Sequence, residues 1–231
     1  MRRLLVLLTL LVIASPAMAQ TSPALERFRQ DFPQTIAVLD REFPADLGRI
    51  EARLAALPAA EAARGPETSF KLLVELRRKY APRLAFAPAE ALSLLLAATA
   101  EFHETVFRGE GPEGCGLFAQ NGTGALFQRG VALRYGRAID TQGTLFMLAV
   151  SAAIEQPEVH GETTEADFAA LLVALAQAGL PEIQARAIGS GDPGDPNYCP
   201  ALAAMFRAAS VFDTPQGFRV RADLAQNLTG Y

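Results

Sequence analysis

Apolar residues recur along this chain at intervals of three and four, the spacing that lines one face of an α-helix. Between Pro88 and Arg108 the sequence PAEALSLLLAATAEFHETVFR places Leu92, Leu95, Leu96, Val106 and Phe107 on one side, with Thr99 the polar residue among them. Glu90, Glu101, Glu104 and Arg108 share a narrow arc on the other side, and Glu104 and Arg108 form an i,i+4 pair of the favourable sense. One amphipathic helix follows, with Pro88 suited to its first turn. Thr164-Glu165-Ala166-Asp167 has the form of a capping box, and Phe168, Leu171, Leu172 and Leu175 continue it to a stop at Gly179 and Pro181. Phe70, Leu73, Val74, Leu76 and Tyr80 predict a third helix, with Lys71, Glu75 and Lys79 on its wet side. Residues 137–154 predict a fourth, mostly apolar and therefore central. Shorter helices are expected over 24–30, 34–42, 46–57 and 199–211, punctuated by Pro33, Pro44, Pro58 and Pro200.

Alternating β-branched runs are almost missing, and Phe218 to Val220 is too short to count as a strand. The fold class expected is all-α, an irregular bundle of about seven to nine helices. Breaks rich in Gly and Pro fall at 59–67, 109–124, 156–161 and 189–200, none long or polar enough to read as an interdomain linker. A single helical domain over 20–231 is the expectation, with a helical hairpin over 20–66 as the alternative. GEGPEGC near residue 110 and GSGDPGDPNYC near residue 190 echo each other, but two loops without matching helices do not establish a repeat.

The start of the chain changes the setting. MRRLLVLLTLLVIASPAMAQ carries two arginines, an apolar run and an A-x-A site, the pattern of a secretory signal peptide over residues 1–19. The run is well short of the roughly 20 apolar residues of a membrane span, and no later run approaches that length. A soluble protein of the bacterial periplasm or medium is expected, which makes the sequons at Asn121 and Asn227 chance occurrences. Cleavage leaves 19 basic residues against 25 acidic ones, so the net charge of -4 becomes -6. An acidic surface argues against nucleic acid as a partner. The tight basic cluster Arg77-Arg78-Lys79, with Arg83, reads as a solvated helix end.

Candidate chemistry is sparse. Gly109, Gly111 and Gly114 satisfy G-x-G-x-x-G, but a helix precedes them and Pro112 sits inside, whereas a dinucleotide cradle needs a strand before its glycines. Cys115 and Cys199 are the only cysteines, and an even count in an oxidising compartment predicts one disulfide joining two Gly-rich loops. His103 lies on the apolar arc, so a core histidine is favoured over a general base or a ligand shared with Glu101 and Glu104. His160, between Glu158 and Glu162, reads as solvated. Asp192, Asp195 and Asn197 offer hard oxygens for calcium, at a spacing that misses the EF-hand.

Glu67-Thr68-Ser69-Phe70 and Gly116-Leu117-Phe118-Ala119-Gln120 are reminiscent of the helical lytic transglycosylases. Both stretches depart from that pattern and lie too far apart, so the family is not assigned. The reading that results is a cofactor-free, monomeric or weakly oligomeric binding or envelope-associated module, its partner an unknown protein or small molecule of the cell envelope. The competing reading is a cell-wall-directed hydrolase or lyase using a carboxylate such as Glu67.

Overall fold

A computed structural model describes residues 22–231; the expected signal peptide at 1–19 lies outside the described residues. The chain opens with three short helices, α1 (Pro23–Asp31), α2 (Pro33–Glu42) and α3 (Pro44–Ala55), each with proline at its first position. Proline is preorganised for that position and keeps the residue before it out of the helical region. Phe32 and Phe43 therefore act as single-residue hinges of nearly identical backbone, φ -130° and -134°, and both side chains are buried. A one-turn helix α4 (Ala59–Ala62) leads to α5 (Pro66–Tyr80), then a 3-10 turn at Ala81–Phe86.

Next comes α6 (Ala89–Asn121), followed by α7 (Thr123–Gln128), a 3-10 turn at Ala132–Tyr135, and α8 (Gly136–Glu155). The second half holds α9 (Glu165–Gln177), α10 (Glu182–Ser190), α11 (Tyr198–Ser210), α12 (Pro215–Gln226) and a last 3-10 turn at Leu228–Gly230. The described residues contain helices and no strand, as the apolar spacing predicts. Twelve α-helices exceed the expected seven to nine, because short apolar stretches between prolines and glycines, such as α4, α7 and α10, form turns of their own. Phe218 to Val220 belongs to α12, whose first turn Thr214 caps by accepting the Gly217 N–H at 3.0 Å.

The stretch 109–124 is not a loop. Helix α6 runs through it as far as Asn121 with one internal break at Gly111, φ 70° and ψ -172°, where Pro112 restarts the helix directly, and Gly122, φ 64° and ψ -158°, separates it from α7. That backbone region is open essentially to glycine alone. Cys115 consequently sits on a helix, as does Cys199 in the first turn of α11, and their disulfide joins two helices rather than two loops. Their Cα atoms are 5.8 Å apart, inside the ordinary range. At Gly116 a β-carbon would collide with the Pro193 carbonyl oxygen, so the absent side chain lets the 191–197 segment lie against α6.

Buried apolar side chains form one continuous cluster from Ala24 to Leu228, and α6 is its axis, packed most extensively on α11 and then on α8. Helices that lack a cap of their own borrow one from elsewhere in the chain. The Asp140 carboxylate, from α8, accepts the first-turn N–H groups of Gln34 and Thr35 of α2 at 3.0 and 2.9 Å. Glu158 accepts the Ala89 N–H at the start of α6 at 3.0 Å, and His160 Nε2 lies 2.7 Å from the Ala87 carbonyl oxygen. His160 is thus not solvated: its side chain is 5% exposed and ties the 156–161 segment to α6.

Candidate functional site

A groove of about 440 Å³ lies between α6 on one wall and the Ala132–Tyr135 turn with α8 on the other. Helix α6 supplies Ala98, Glu101, Phe102 and Thr105 at the spacing of one face. The opposite wall supplies Arg134, Tyr135, Arg137, Ala138 and Thr141. Phe102 and Tyr135 are buried and give it a hydrocarbon floor, while Glu101 and Arg137 are exposed. Neither Glu101 nor Arg137 has an ion-pair partner among the described residues.

Below this groove Glu110, the residue before the Gly111 break, fixes the far wall. Its side chain is 5% exposed; it accepts the Tyr135 hydroxyl at 2.7 Å and pairs with Arg134 at 3.2 Å and, more distantly, Arg129 at 3.8 Å. Burial and then the Glu110 carboxylate push the Tyr135 phenol up to about 12. The phenol stays protonated at neutral pH and serves as a hydrogen-bond donor, not as a base. Gly109 leaves room for it, since a β-carbon there would strike the Tyr135 hydroxyl.

The residues singled out from the sequence do not converge. Glu67 lies in the first turn of α5, far along the chain from the groove, and borders two smaller depressions of about 220 and 380 Å³. Lys71 pairs with it at 2.7 Å, and that hydrogen bond holds its carboxyl below the usual range. His103 is fully buried, as the arc predicts. Its Nδ1 meets the Thr99 carbonyl oxygen at 2.9 Å, so Nδ1 donates, and Nε2 has no partner. Phe118, Phe206 and Tyr231 surround the ring at centroid distances of 4.9, 5.3 and 5.2 Å. Burial pushes its pKa down to about 4, against the Thr99 hydrogen bond. The disulfide is its neighbour, the Cys115 sulfur lying 3.4 Å from the His103 carbonyl oxygen.

Asp192 and Asp195 each spend an oxygen on the backbone two residues on, accepting the N–H of Gly194 and of Asn197 at 2.8 Å. Asp195 also accepts the Asn197 amide at 3.0 Å, so these three residues build the turn that leads into α11. Among the described residues no group of three or more His, Cys, Asp and Glu side chains is arranged to hold a metal ion. No helix among them is long and apolar enough to cross a membrane.

Two expectations about charge are corrected. The basic cluster is a solvated helix end except for one member: Arg78, Lys79 and Arg83 are exposed, but Arg77 is 1% exposed, with Nη1 donating to Gln142 at 3.0 Å and its guanidinium near both the Phe70 and Phe146 rings. Burial pushes its pKa down to about 10, with the Asp140 carboxylate opposing, so it remains a cation in the core. Glu104 does not pair with Arg108; it reaches across to Arg207 of α11 at 2.6 Å, and Arg108 donates to Thr105 instead. A guanidinium from a neighbouring helix that donates twice to one carboxylate oxygen outcompetes a flexible pair within one helix.

The groove residues were missed because they come from separate helices, and only packing brings them together. No family model, curated protein or solved structure matches this chain.

Proposed function

We propose that the chain is an exported, disulfide-stapled binding module that holds a small zwitterionic ligand, such as an amino acid or short peptide, in the groove between α6 and α8. One observation carries the reading: a hydrocarbon floor of Phe102 and Tyr135, flanked by Ala98 and Ala138, lines a groove with Glu101 on one wall and Arg137 on the other, both charges without ion-pair partners among the described residues. A carboxylate suits Arg137, an ammonium suits Glu101, and the apolar part suits the floor. The volume falls in the range of small-molecule sites. The disulfide is compatible with an oxidising compartment.

The competing cell-wall hydrolase or lyase draws support from the position of Glu67 at the border of two depressions. A general acid for glycoside cleavage needs a raised pKa, and Lys71 acts in the opposite direction. Unchanged muralytic activity in Glu67→Gln removes that reading.

Native mass spectrometry of the protein isolated gently from its own cell envelope tests the binding reading. A small bound mass in the wild type, lost in Ala138→Trp while the fold and disulfide persist, is the result expected. Wild-type protein that carries no ligand and gains none from envelope extract overturns it.

A further inference from the structure

The polar atoms along the floor of the groove between α6 and α8 are already spent inside the protein. Tyr135 donates its hydroxyl proton to Glu110 at 2.7 Å, and its oxygen packs where a β-carbon of residue 109 would stand. Neither Gly109 nor Glu110 lines the groove, so what Tyr135 offers a ligand is its ring. Thr105 donates its proton to the Glu101 carbonyl oxygen at 2.8 Å and accepts from Arg108 Nη2 at 3.1 Å. Phe102, Ala98 and Ala138 have no polar side-chain atom, and Arg134 is engaged by Glu110 at 3.2 Å. Thr141 alone among the hydroxyl groups of the lining has no hydrogen-bond partner among the described residues. It stands one turn beyond Arg137 on the same face of α8.

Resting on the zwitterion reading above, we infer that the groove selects amino acids and short peptides with an apolar side chain, branched aliphatic or aromatic, against polar side chains of the same size. Glu101 and Arg137 meet the ammonium and carboxylate groups that all amino acids share, so they cannot tell one from another. Selection falls to the floor. An amide or hydroxyl laid on Phe102 and Tyr135 gives up its water and finds neither a free donor nor a free acceptor there, which disfavours it. A leucine side chain or an aromatic ring releases the same water at no such cost and gains contact with the two rings. An acidic side chain meets the same bare floor, because the Arg134 guanidinium is held by Glu110. Thr141 serves the charged end: its free hydroxyl donates to the carboxylate that Arg137 holds.

Isothermal titration calorimetry with pairs of similar shape is the test: leucine against asparagine, and glycyl-leucine against glycyl-asparagine. The apolar member of each pair binds about 10- to 100-fold more tightly, phenylalanine ranks with leucine, and glutamate ranks with asparagine. Thr141→Val weakens every ligand by a common factor and leaves the leucine-to-asparagine ratio as it is in the wild type, with circular dichroism showing that the fold persists. Equal affinities within the pairs, or a preference for asparagine, overturn the inference and leave the zwitterion reading standing. A ratio that changes in Thr141→Val also overturns it, since the hydroxyl then serves the side chain; affinities that do not change remove the role given to Thr141. Binding by none of these ligands removes the zwitterion reading itself, and the selectivity with it.

Discussion

At the scale of single residues, His103 gives the sharpest pH dependence. Its folded pKa, near 4, lies below the ordinary value of 6.5, so between the two the unfolded chain binds the extra proton. The stability it contributes is complete above about pH 6.5 and is lost as pH falls through about 4, up to about 3 kcal/mol in all. In urea titrations from pH 7.5 to 4, His103→Phe should flatten that slope; an unchanged slope places the proton elsewhere. Arg77 is the second case. Arg77→Met leaves the Gln142 amide oxygen and the Asp140 charge without their buried cation, and should cost about 3 to 5 kcal/mol in the same titrations. A cost below 1 kcal/mol would mean that the core repacks around the gap. His103 was legible in the sequence because it shares an arc with Leu92, Leu96 and Phe107. Arg77 carried the same signal, four and seven residues beyond Leu73 and Phe70 in helical step, but reading Arg77-Arg78-Lys79 as a run concealed which face each residue occupies.

Among the elements, the long helices were legible because their apolar stripes are periodic over several turns, as in α5, α8 and the first half of α6. The second half of α6 was not. Glycine and proline are weak helix residues, so GEGPEGCG reads locally as a turn, yet packing against α11 and the disulfide hold it helical. The break itself needs one residue. Gly111→Ala meets no neighbouring atom but is forced into a backbone region reserved for glycine, and should lower stability by about 1 to 3 kcal/mol. Gly124→Ala, with helical backbone and open space around it, should be neutral or stabilising by about 0.5 to 1 kcal/mol. Thermal unfolding of the two variants side by side checks both, and equal losses would assign the kink to packing instead of to Gly111.

Over the whole molecule, the disulfide was legible from cysteine count alone, whereas its setting between two helices was not. It closes a separation of 84 residues across the α6–α11 contact, and Cys115→Ser with Cys199→Ser should cost up to roughly 4 to 5 kcal/mol in reversible unfolding. Intact mass after alkylation without reductant should show no free thiol. The groove was illegible for a different reason: Glu101, Arg137 and Glu110 look like ordinary surface charges until α6 and α8 meet, and no short motif joins them. The account's central claim, that this groove holds a small zwitterion, is tested most directly by ¹H–¹⁵N NMR of the labelled protein titrated with free amino acids and dipeptides. Shifts confined to Ala98, Phe102, Thr105, Tyr135 and Ala138, saturating at or below about 1 mM and abolished in Arg137→Ala, are the result predicted. A groove whose resonances stay unmoved by every probe, or shifts that survive the loss of Arg137, would contradict it.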